Sequence, residues 1–535
     1  MIDTRKKRFS VLFFGALLTG LTLVFPKIGF IEWITLAPAC MFLLDECERQ
    51  TLRTRQLYGY GFFFFMCYYV VVFHWFINLY PLEFIDGMSP IAAGFIVFLG
   101  VFGISAFQAL FGGLFFLVAR FALNTRLLKE RKILRPLLIA AMWSVYEWTQ
   151  TIGWWGVPWG RLPIAQSEYI VGLQTASLLG SYFITFVIVL VNSCIAYAII
   201  ERKSIKLMGI VACATLVFQY GAGTVLYFAD VDGEKTVNVA AVQGNVSTAE
   251  KWTVSSKENT LQRYRDYTLE AAEKGAEVVV WPETAFPYLA QENNSVGDYL
   301  CSLAVEAQVI ILAGAFTGEA DQKQYNSIIA VLPDGSFHET VYSKQRLVPF
   351  GEFVPFYNFI SVVAPPLAEL DMLGSDLAFG KKSEVIELDE MNVGPLICFD
   401  SIYEDLARAS VRGGAQIITI STNDSWFTDS AALYMHRAQA QLRAIENGRY
   451  VIRSANTGIS AVISSKGDVI DSLEPNVGGI VQYNVHINDR ITPYTIVGNL
   501  MIYVFIAFFA GVFIYEIFIR IKGYKNSKEI KNGVI

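Results

Sequence analysis

The chain has 535 residues, 54% of them hydrophobic and only 17% charged, with 40 phenylalanines; this is too apolar for a soluble globular protein and places it among membrane proteins. A net charge of −6, with no basic cluster in the polar part of the chain, excludes a nucleic-acid-binding role. Five of the seven cysteines (Cys40, Cys47, Cys67, Cys194, Cys213) sit in or beside apolar runs, so there is no disulfide framework, and no His/Cys cluster has zinc spacing.

The N-terminus, Arg5-Lys-Lys-Arg8 followed by an apolar run, resembles a signal peptide but has no small-x-small cleavage site, so it reads as an uncleaved first anchor. Phe9–Phe25 and Ile31–Leu44 are short and separated by Pro26, which suits a tight helical hairpin or a re-entrant pair. Tyr58–Tyr80, Pro90–Ala119, Val171–Ile200 and Leu207–Phe228 each exceed the roughly 20 residues that cross about 30 Å of hydrocarbon. Pro136–Gly156 is a weaker span because Glu147 interrupts it. Basic residues gather at Arg5–Arg8, Arg49–Arg55, Arg120–Arg135, Arg202–Lys206 and Arg520–Lys531, whereas the alternate connections Asn78–Ser89 and Thr151–Glu168 are nearly free of them. The positive-inside rule then puts both termini in the cytoplasm, with seven spans in residues 1–228 and one in 491–535. The stretch 229–490 between them has ordinary soluble character and forms a domain on the outer face. Within the spans, His74 and Glu147 are functional, engaged in helix packing or placed at the interface. Gly153-Trp-Trp-Gly-Val-Pro-Trp159 reads as an aromatic belt at the outer interface, and as a candidate lining for a lipid entrance.

From Thr236 the texture changes to short β-rich runs: Val237–Gln243, Glu277–Val280, Val309–Phe316, Tyr325–Leu332, Val393–Ile397 and Ile417–Ser421. Ser255–Lys274 and Ala431–Glu446 have helical spacing of apolar positions. The alternation predicts an α/β domain whose strand ends carry the site.

Three strand-end stretches carry candidate chemistry. Val280-Trp-Pro-Glu-Thr-Ala-Phe-Pro287 sets Glu283 between two prolines. Tyr342-Ser-Lys-Gln-Arg-Leu-Val-Pro-Phe-Gly-Glu-Phe-Val-Pro355 contains Lys344 and Glu352, and Gly394-Pro-Leu-Ile-Cys-Phe-Asp-Ser-Ile-Tyr-Glu404 ends an apolar run on Cys398. Singly, these residues read as a core cysteine, a loop acid and a solvated lysine paired with Glu352. Together, a carboxylate, an ammonium and a thiol suit acyl transfer: a general base, an oxyanion stabiliser and a nucleophile. His436 and Arg443 read as structural residues of the second helix, with Arg443 paired to Glu446 three residues on. His338 and His486 have no catalytic company.

The order W-P-E-T, K-x-x-L-V-P-F-G-E-F-V-P, I-C-F-D-S and T-N-D-S-W-F resembles the nitrilase (carbon–nitrogen hydrolase) superfamily and, within it, the apolipoprotein N-acyltransferases, whose span layout is also similar. The resemblance implies an αββα-sandwich domain inserted in a polytopic α-helical membrane protein, and a catalytic Glu283–Lys344–Cys398 triad. It adds Glu352 as a second acid beside the lysine, Trp252 as the tryptophan following the first strand, and Trp426, in Thr422-Asn-Asp-Ser-Trp-Phe427, as a site-wall aromatic. The family usually has Tyr-Glu after the cysteine; here Phe399-Asp400 stands instead, which leaves the triad intact but removes a phenolic hydroxyl and shortens a carboxylate. The implied activity moves an acyl chain from a membrane phospholipid to the α-amine of a lipoprotein's N-terminal diacylglyceryl-cysteine through a thioester on Cys398. No metal or diffusible cofactor is required for it. The expected setting is the bacterial inner membrane, with the domain periplasmic and the chain monomeric. The stretch Phe353–Gly380, rich in Phe, Pro and Leu, is expected to be a mobile arm dipping toward lipid. A membrane-tethered amidase hydrolysing a small amide, or a transporter or scaffold with an inactive domain, are the alternatives.

Overall fold

The computed structural model of the chain describes residues 2, 4–82, 88–153, 156–229, 232–247, 251, 256–286, 288–290, 294–318, 323–363 and 377–531, with side chains as far as Lys522. Among these, six helices are long and apolar enough to cross a membrane: Arg5–Val24, Pro26–Arg49, Pro90–Leu123, Ser181–Ile200, Arg202–Phe228 and Leu500–Lys522. Pro26 therefore begins a second spanning segment, and the first two segments are both long enough to cross.

Five of these helices precede the domain, where the sequence leads to an expectation of about seven spans. Thr54–Val72 packs against Pro90–Leu123, but its tyrosines and Arg55 lower its hydropathy, while Arg135–Thr149 is only 15 residues long. The expected span Val171–Ile200 is also shorter in fact. Its helix starts at Ser181, because Gly180 adopts φ +80°, a left-handed conformation that ends helical propagation. The preceding apolar residues form short turns held by the domain, with Gln174 donating to the Lys466 carbonyl (2.7 Å).

Among the described residues the domain contains twelve strands: β1 (Thr236–Gln243), β2 (Val278–Val280), β3 (Ile310–Thr317), β4 (Tyr325–Val331), β5 (Tyr342–Ser343), β6 (Ile386–Glu387), β7 (Asn392–Ile397), β8 (Ile417–Thr422), β9 (Val451–Ala455), β10 (Ala461–Ile463), β11 (Val469–Ser472) and β12 (Gly479–His486). They form two six-stranded sheets, ordered β12-β1-β2-β3-β4-β5 and β11-β10-β9-β8-β7-β6. Strand alternation sorts the side chains into layers. Val237, Val239, Val278, Val280 and Leu312 meet Val393, Ile397, Ile417 and Ile452 between the sheets. Val279, Trp281 and Ile311 point the other way, onto helices Lys257–Glu273 and Ser295–Ala307.

The outer face of the second sheet is covered by helices Glu404–Arg412 and Ala431–Asn447, and this layer forms one continuous apolar core with the membrane half. A buried charged set reinforces that join. Glu404 accepts from the Tyr182 hydroxyl (2.9 Å) and the Asn499 carboxamide (3.1 Å) and lies 3.4 Å from the Arg161 guanidinium, while Glu446 pairs with Arg443 (2.8 Å) and accepts from the Ser181 amide (3.1 Å). The domain is thus seated on the helices as a fixed body, not tethered by a linker.

Candidate active site

The carboxyl ends of β2, β5, β7 and β8 and the start of β4 all open on one edge of the sandwich, the usual place for a ligand in an α/β fold. One sheet delivers Glu283, Asn326 and Lys344, and the other delivers Cys398 and Asn423. Lys344 is buried and donates to both Glu283 Oε1 (2.8 Å) and Glu352 Oε1 (2.9 Å). Asn326 Nδ2 donates to the same two oxygens, at 2.8 and 3.1 Å. The remaining Glu283 oxygen accepts from the Asn423 amide (2.8 Å), and the remaining Glu352 oxygen from the Val348 amide (2.8 Å). Neither carboxylate is left with an unpaired oxygen, which holds each in one orientation.

Cys398 itself has φ +46°, a left-handed conformation that costs a side-chain-bearing residue about 1–3 kcal/mol. The turn is held from behind. Ser401 donates to the Cys398 carbonyl (2.7 Å), and His436 Nε2 lies 3.0 Å from Ser401 Oγ and 3.3 Å from that carbonyl. His436 Nδ1 is 3.1 Å from Asp424 Oδ1, and Arg453 donates to Asp424 Oδ2 (2.5 Å).

The electrostatics separate the three groups. Burial and the Glu283 charge push the Cys398 thiol well up, so it rests protonated. Burial would also raise Glu283, but the Lys344 ammonium and the donors on its oxygens outweigh it and hold the carboxyl below its usual range. Burial works against the Lys344 charge, yet the flanking Glu283 and Glu352 carboxylates hold its pKa well up. The resting set is therefore a neutral thiol beside a carboxylate and an ammonium.

A cavity of about 680 Å³ runs from these groups into the membrane half. At its polar end lie Glu283, Asn326, Lys344, Glu352, Cys398 and His436. Its apolar end is a stripe on helix Pro90–Leu123 (Ile96, Leu99, Gly100, Gly103, Ile104, Phe107), spaced to share one helical face. Between them stand Trp75, Trp159 and Phe427, whose rings contact one another at 4.8–5.7 Å. Gly103 leaves room here, because a Cβ added to it would meet nothing within 4 Å.

The residues expected from the sequence largely assemble. Phe399 and Trp426 line the cavity, as do Val157 and Trp159 of the aromatic belt. Trp252 lies outside the described residues. Asp400 does not face the cavity; it ties the lysine strand to the cysteine turn, accepting from Tyr342 Oη (2.8 Å) and the Arg346 (2.8 Å) and Gln345 (3.2 Å) amides. His74, half-buried with Nδ1 2.7 Å from the Val71 carbonyl, ends a helix, and Glu147, accepting from Thr185 Oγ1 (2.6 Å) and the Leu162 amide (3.1 Å), packs helices together. His338 and His486 sit against the Glu387 and Gly233 carbonyls, away from the site.

His436, read from the sequence as structural, instead lines the cavity and supports the cysteine turn; nothing in its helical spacing distinguishes it from a core histidine. Asn326 and Asp424 were equally silent. Lys251 is a fourth addition: buried, donating to Thr284 Oγ1 (2.6 Å) and the Glu283 carbonyl (3.3 Å), its pKa lowered by burial to about 8. Its only sequence signal is its place just before Trp252.

With this geometry in hand, comparison with known proteins is consistent at every level. The carbon–nitrogen hydrolase family profile matches residues 238–491, and the apolipoprotein N-acyltransferase N-terminal domain profile matches residues 15–194. A curated apolipoprotein N-acyltransferase of Photobacterium profundum is 28% identical over 517 residues, 94% of each chain. One of Brucella suis is 31% identical over 396 residues, 72% of each chain. A solved nitrilase-superfamily protein of Saccharomyces cerevisiae covers 48% of this chain and 92% of its own, at 20% identity and a TM-score of 0.38. The apolar helices, the nitrilase-type domain and relatives that match along nearly the whole length lead to one conclusion: the chain belongs to the apolipoprotein N-acyltransferase family, as a multi-pass membrane protein.

Proposed function

We propose that this chain transfers a fatty acyl group from a membrane phospholipid to the α-amine of the N-terminal diacylglyceryl-cysteine of a lipoprotein, with Glu283, Lys344 and Cys398 as the reacting set. The observation that carries the reading is the continuity of one cavity from the thiol to the apolar stripe on helix Pro90–Leu123. A small-amide hydrolase has no use for that apolar arm. An acyl chain, each of whose methylenes gains about 0.8 kcal/mol on burial, has one.

In the first half-reaction Glu283 removes the thiol proton as Cys398 attacks the phospholipid ester carbonyl. The Lys344 ammonium stabilises the tetrahedral oxyanion. Collapse breaks the ester C–O bond, and Glu283 returns the proton to the departing lysophospholipid oxygen, leaving a thioester. In the second half the lipoprotein amine attacks the thioester, Glu283 takes a proton from the attacking nitrogen, and the thiolate leaves and is reprotonated. Glu352 and Asn326 keep Lys344 and Glu283 in register throughout. The domain lies on the periplasmic face, where lipoprotein N-termini are presented, with both chain termini cytoplasmic. One chain holds every residue of the site and works as a monomer. The exposed Phe356, Tyr357, Phe359 and Val362 around helix Tyr357–Val363 enter the bilayer beside the cavity, which Ile360 lines; residues 364–376 of the expected arm lie outside the described residues.

The test is intact-protein mass after incubation with phospholipid. A hydroxylamine-labile acyl adduct is expected on the native protein and absent from Cys398→Ala, and a diacylglyceryl-cysteine peptide should discharge it onto its amine. Discharge by water alone, with the peptide unmodified, would make the protein a hydrolase.

The acid side of the pH profile is set by Asp400, which burial raises to about 7 despite its donors. Above that pH it is a carboxylate holding the 345–346 amides; below it, protonation removes an acceptor and loosens the lysine strand. Turnover should fall as pH drops through about 7, and Asp400→Asn should run at a lower rate without that limb. An unchanged limb in Asp400→Asn would assign it to another group.

A further inference from the structure

A second cavity, of about 620 Å³, opens far from the reacting groups, where the end of helix Pro90–Leu123 meets the Gln50–Thr54 connection, residues 124–129 and the C-terminal helix. Leu117, Arg120 and Phe121 line it, whereas Gly103 and Phe107 of the same helix line the catalytic cavity. At 1.5 Å per residue, Gly103 and Arg120 are about 25 Å apart along the axis. That is close to the roughly 30 Å of a hydrocarbon core. The second cavity therefore lies at the opposite membrane face from the reacting groups.

Its chemistry is amphipathic and cationic. Arg120, Lys129 and Arg520 line the cavity with one carboxylate, Glu516, while a second, Glu46, lies 3.7 Å from the Arg120 guanidinium; Gln50 and Asn124 stand beside them, and Leu52, Leu117 and Phe121 form an apolar wall. The cations are incompletely used. Lys129 is exposed and its ammonium has no ion-pair partner among the described residues. Arg520 engages Glu516 through Nε alone (2.8 Å), so its two terminal nitrogens keep their donors. Arg120, by contrast, is fixed in place, donating to the Leu52 carbonyl (2.8 Å) and Thr54 Oγ1 (3.3 Å). Glu516 is also occupied, accepting from the Arg126 amide (2.7 Å). The wall continues into the stack of Phe121 on Phe513 (5.2 Å, 17°), which joins the two helices.

We propose that this cavity is a non-substrate lipid site that holds the phosphodiester of an anionic phospholipid of the leaflet opposite the catalytic domain, its acyl chains running along Leu117 and Phe121. Free donors at the rim with an apolar wall directly beneath them match a headgroup phosphate above acyl chains, and a net positive rim favours a headgroup without a compensating ammonium. The bound lipid ties the C-terminal helix, otherwise mostly facing lipid, to helix Pro90–Leu123.

The experiment is native mass spectrometry of the full-length protein from detergent, titrated with phosphatidylglycerol or with phosphatidylethanolamine of identical chains. The native protein should retain one phosphatidylglycerol more tightly than phosphatidylethanolamine. Lys129→Gln and Arg520→Gln should each weaken that retention by roughly fivefold, the effect of one cation near an anionic headgroup. Both variants should still form the Cys398 adduct, since neither residue lies near the reacting groups. Millimolar inorganic phosphate should not displace the lipid. Equal retention of the two lipids, or unchanged retention in both variants, overturns the proposal; displacement by phosphate would make this a free-anion site instead. The proposal does not depend on the acyl-transfer reading, because retention is measured without turnover.

Discussion

Glu283→Gln is expected to slow acyl-enzyme formation by about a thousandfold, within the range that a positioned general base contributes. The reason is the ordering of proton affinities in the site. Cys398 holds its proton tightly because burial and the Glu283 charge both oppose a thiolate. Glu283 is the carboxylate whose charge acts most strongly on that thiol, kept ionised by Lys344 and held in one orientation by Asn326 and the Asn423 amide. Glutamine preserves the size and one acceptor oxygen but cannot take the proton. The variant must then draw its thiolate from solvent, so its rate should climb about tenfold per pH unit across the neutral and alkaline range. The native enzyme, whose base is already ionised, should stay flat above the Asp400 limb near pH 7. Stopped-flow acylation with an ester donor between pH 8 and 10 separates the cases. If the variant is slow but just as flat, Glu283 is a structural anchor for Lys344 and some other group removes the proton. Thermal unfolding of the variant completes the test, since loss of the Glu283–Lys344 contact also leaves a buried ammonium with one carboxylate partner fewer.

Gly103→Phe should change which acyl chains are transferred more than how fast the chemistry runs. Position 103 faces the apolar arm of the cavity, and a side chain there enters open space instead of a neighbour. A phenyl group would shorten the arm. Donors with about sixteen carbons would lose the burial of at least two methylenes, about 1.6 kcal/mol, and so should be transferred more than tenfold less well. Donors with about eight carbons should be affected little. The helix itself tolerates the change, because an interior glycine, about 1 kcal/mol less favourable than alanine, is also a poorer helix former than phenylalanine. Mass analysis of the product from a mixed-chain donor pool reads the preference directly. Gly209→Phe, another helical position whose added Cβ meets nothing, supplies the control. Equal losses for long and short donors would mean that the chain leaves the thiol by another route.

How much of this was readable beforehand follows from which interactions are local. The strands Thr236–Gln243, Ile310–Thr317 and Ile417–Thr422 announce themselves through β-branched apolar runs, since each forms from its own residues' preference for a pleated, buried surface. Glu283, Lys344, Glu352 and Cys398 are marked by their own strand-end motifs, and the structure brings the four to one edge. The apolar segments were equally plain, because length and hydropathy are one-dimensional properties.

Where a helix stops was less plain. The run Val171–Ile200 is uniformly apolar, and only the backbone at Gly180 and the docking of the domain decide that its first ten residues are not part of the span. The groups that finish the site were hidden for a related reason. His436 sits on a helix whose periodicity explains it fully as core, and Asn326 is one polar residue at the start of a buried strand. Their roles come from touching Cys398, Glu283 and Glu352, contacts made between different elements over 26 to 43 residues of sequence. The continuity of the cavity is the furthest removed from the sequence. It joins a helix near residue 100 to a cysteine near residue 400, and it exists because the domain shares its apolar core with the membrane helices. Residue types and strand ends thus determine the chemistry available to this chain. The docking of domain on helices determines what can reach it, because packing between distant segments has no local signature.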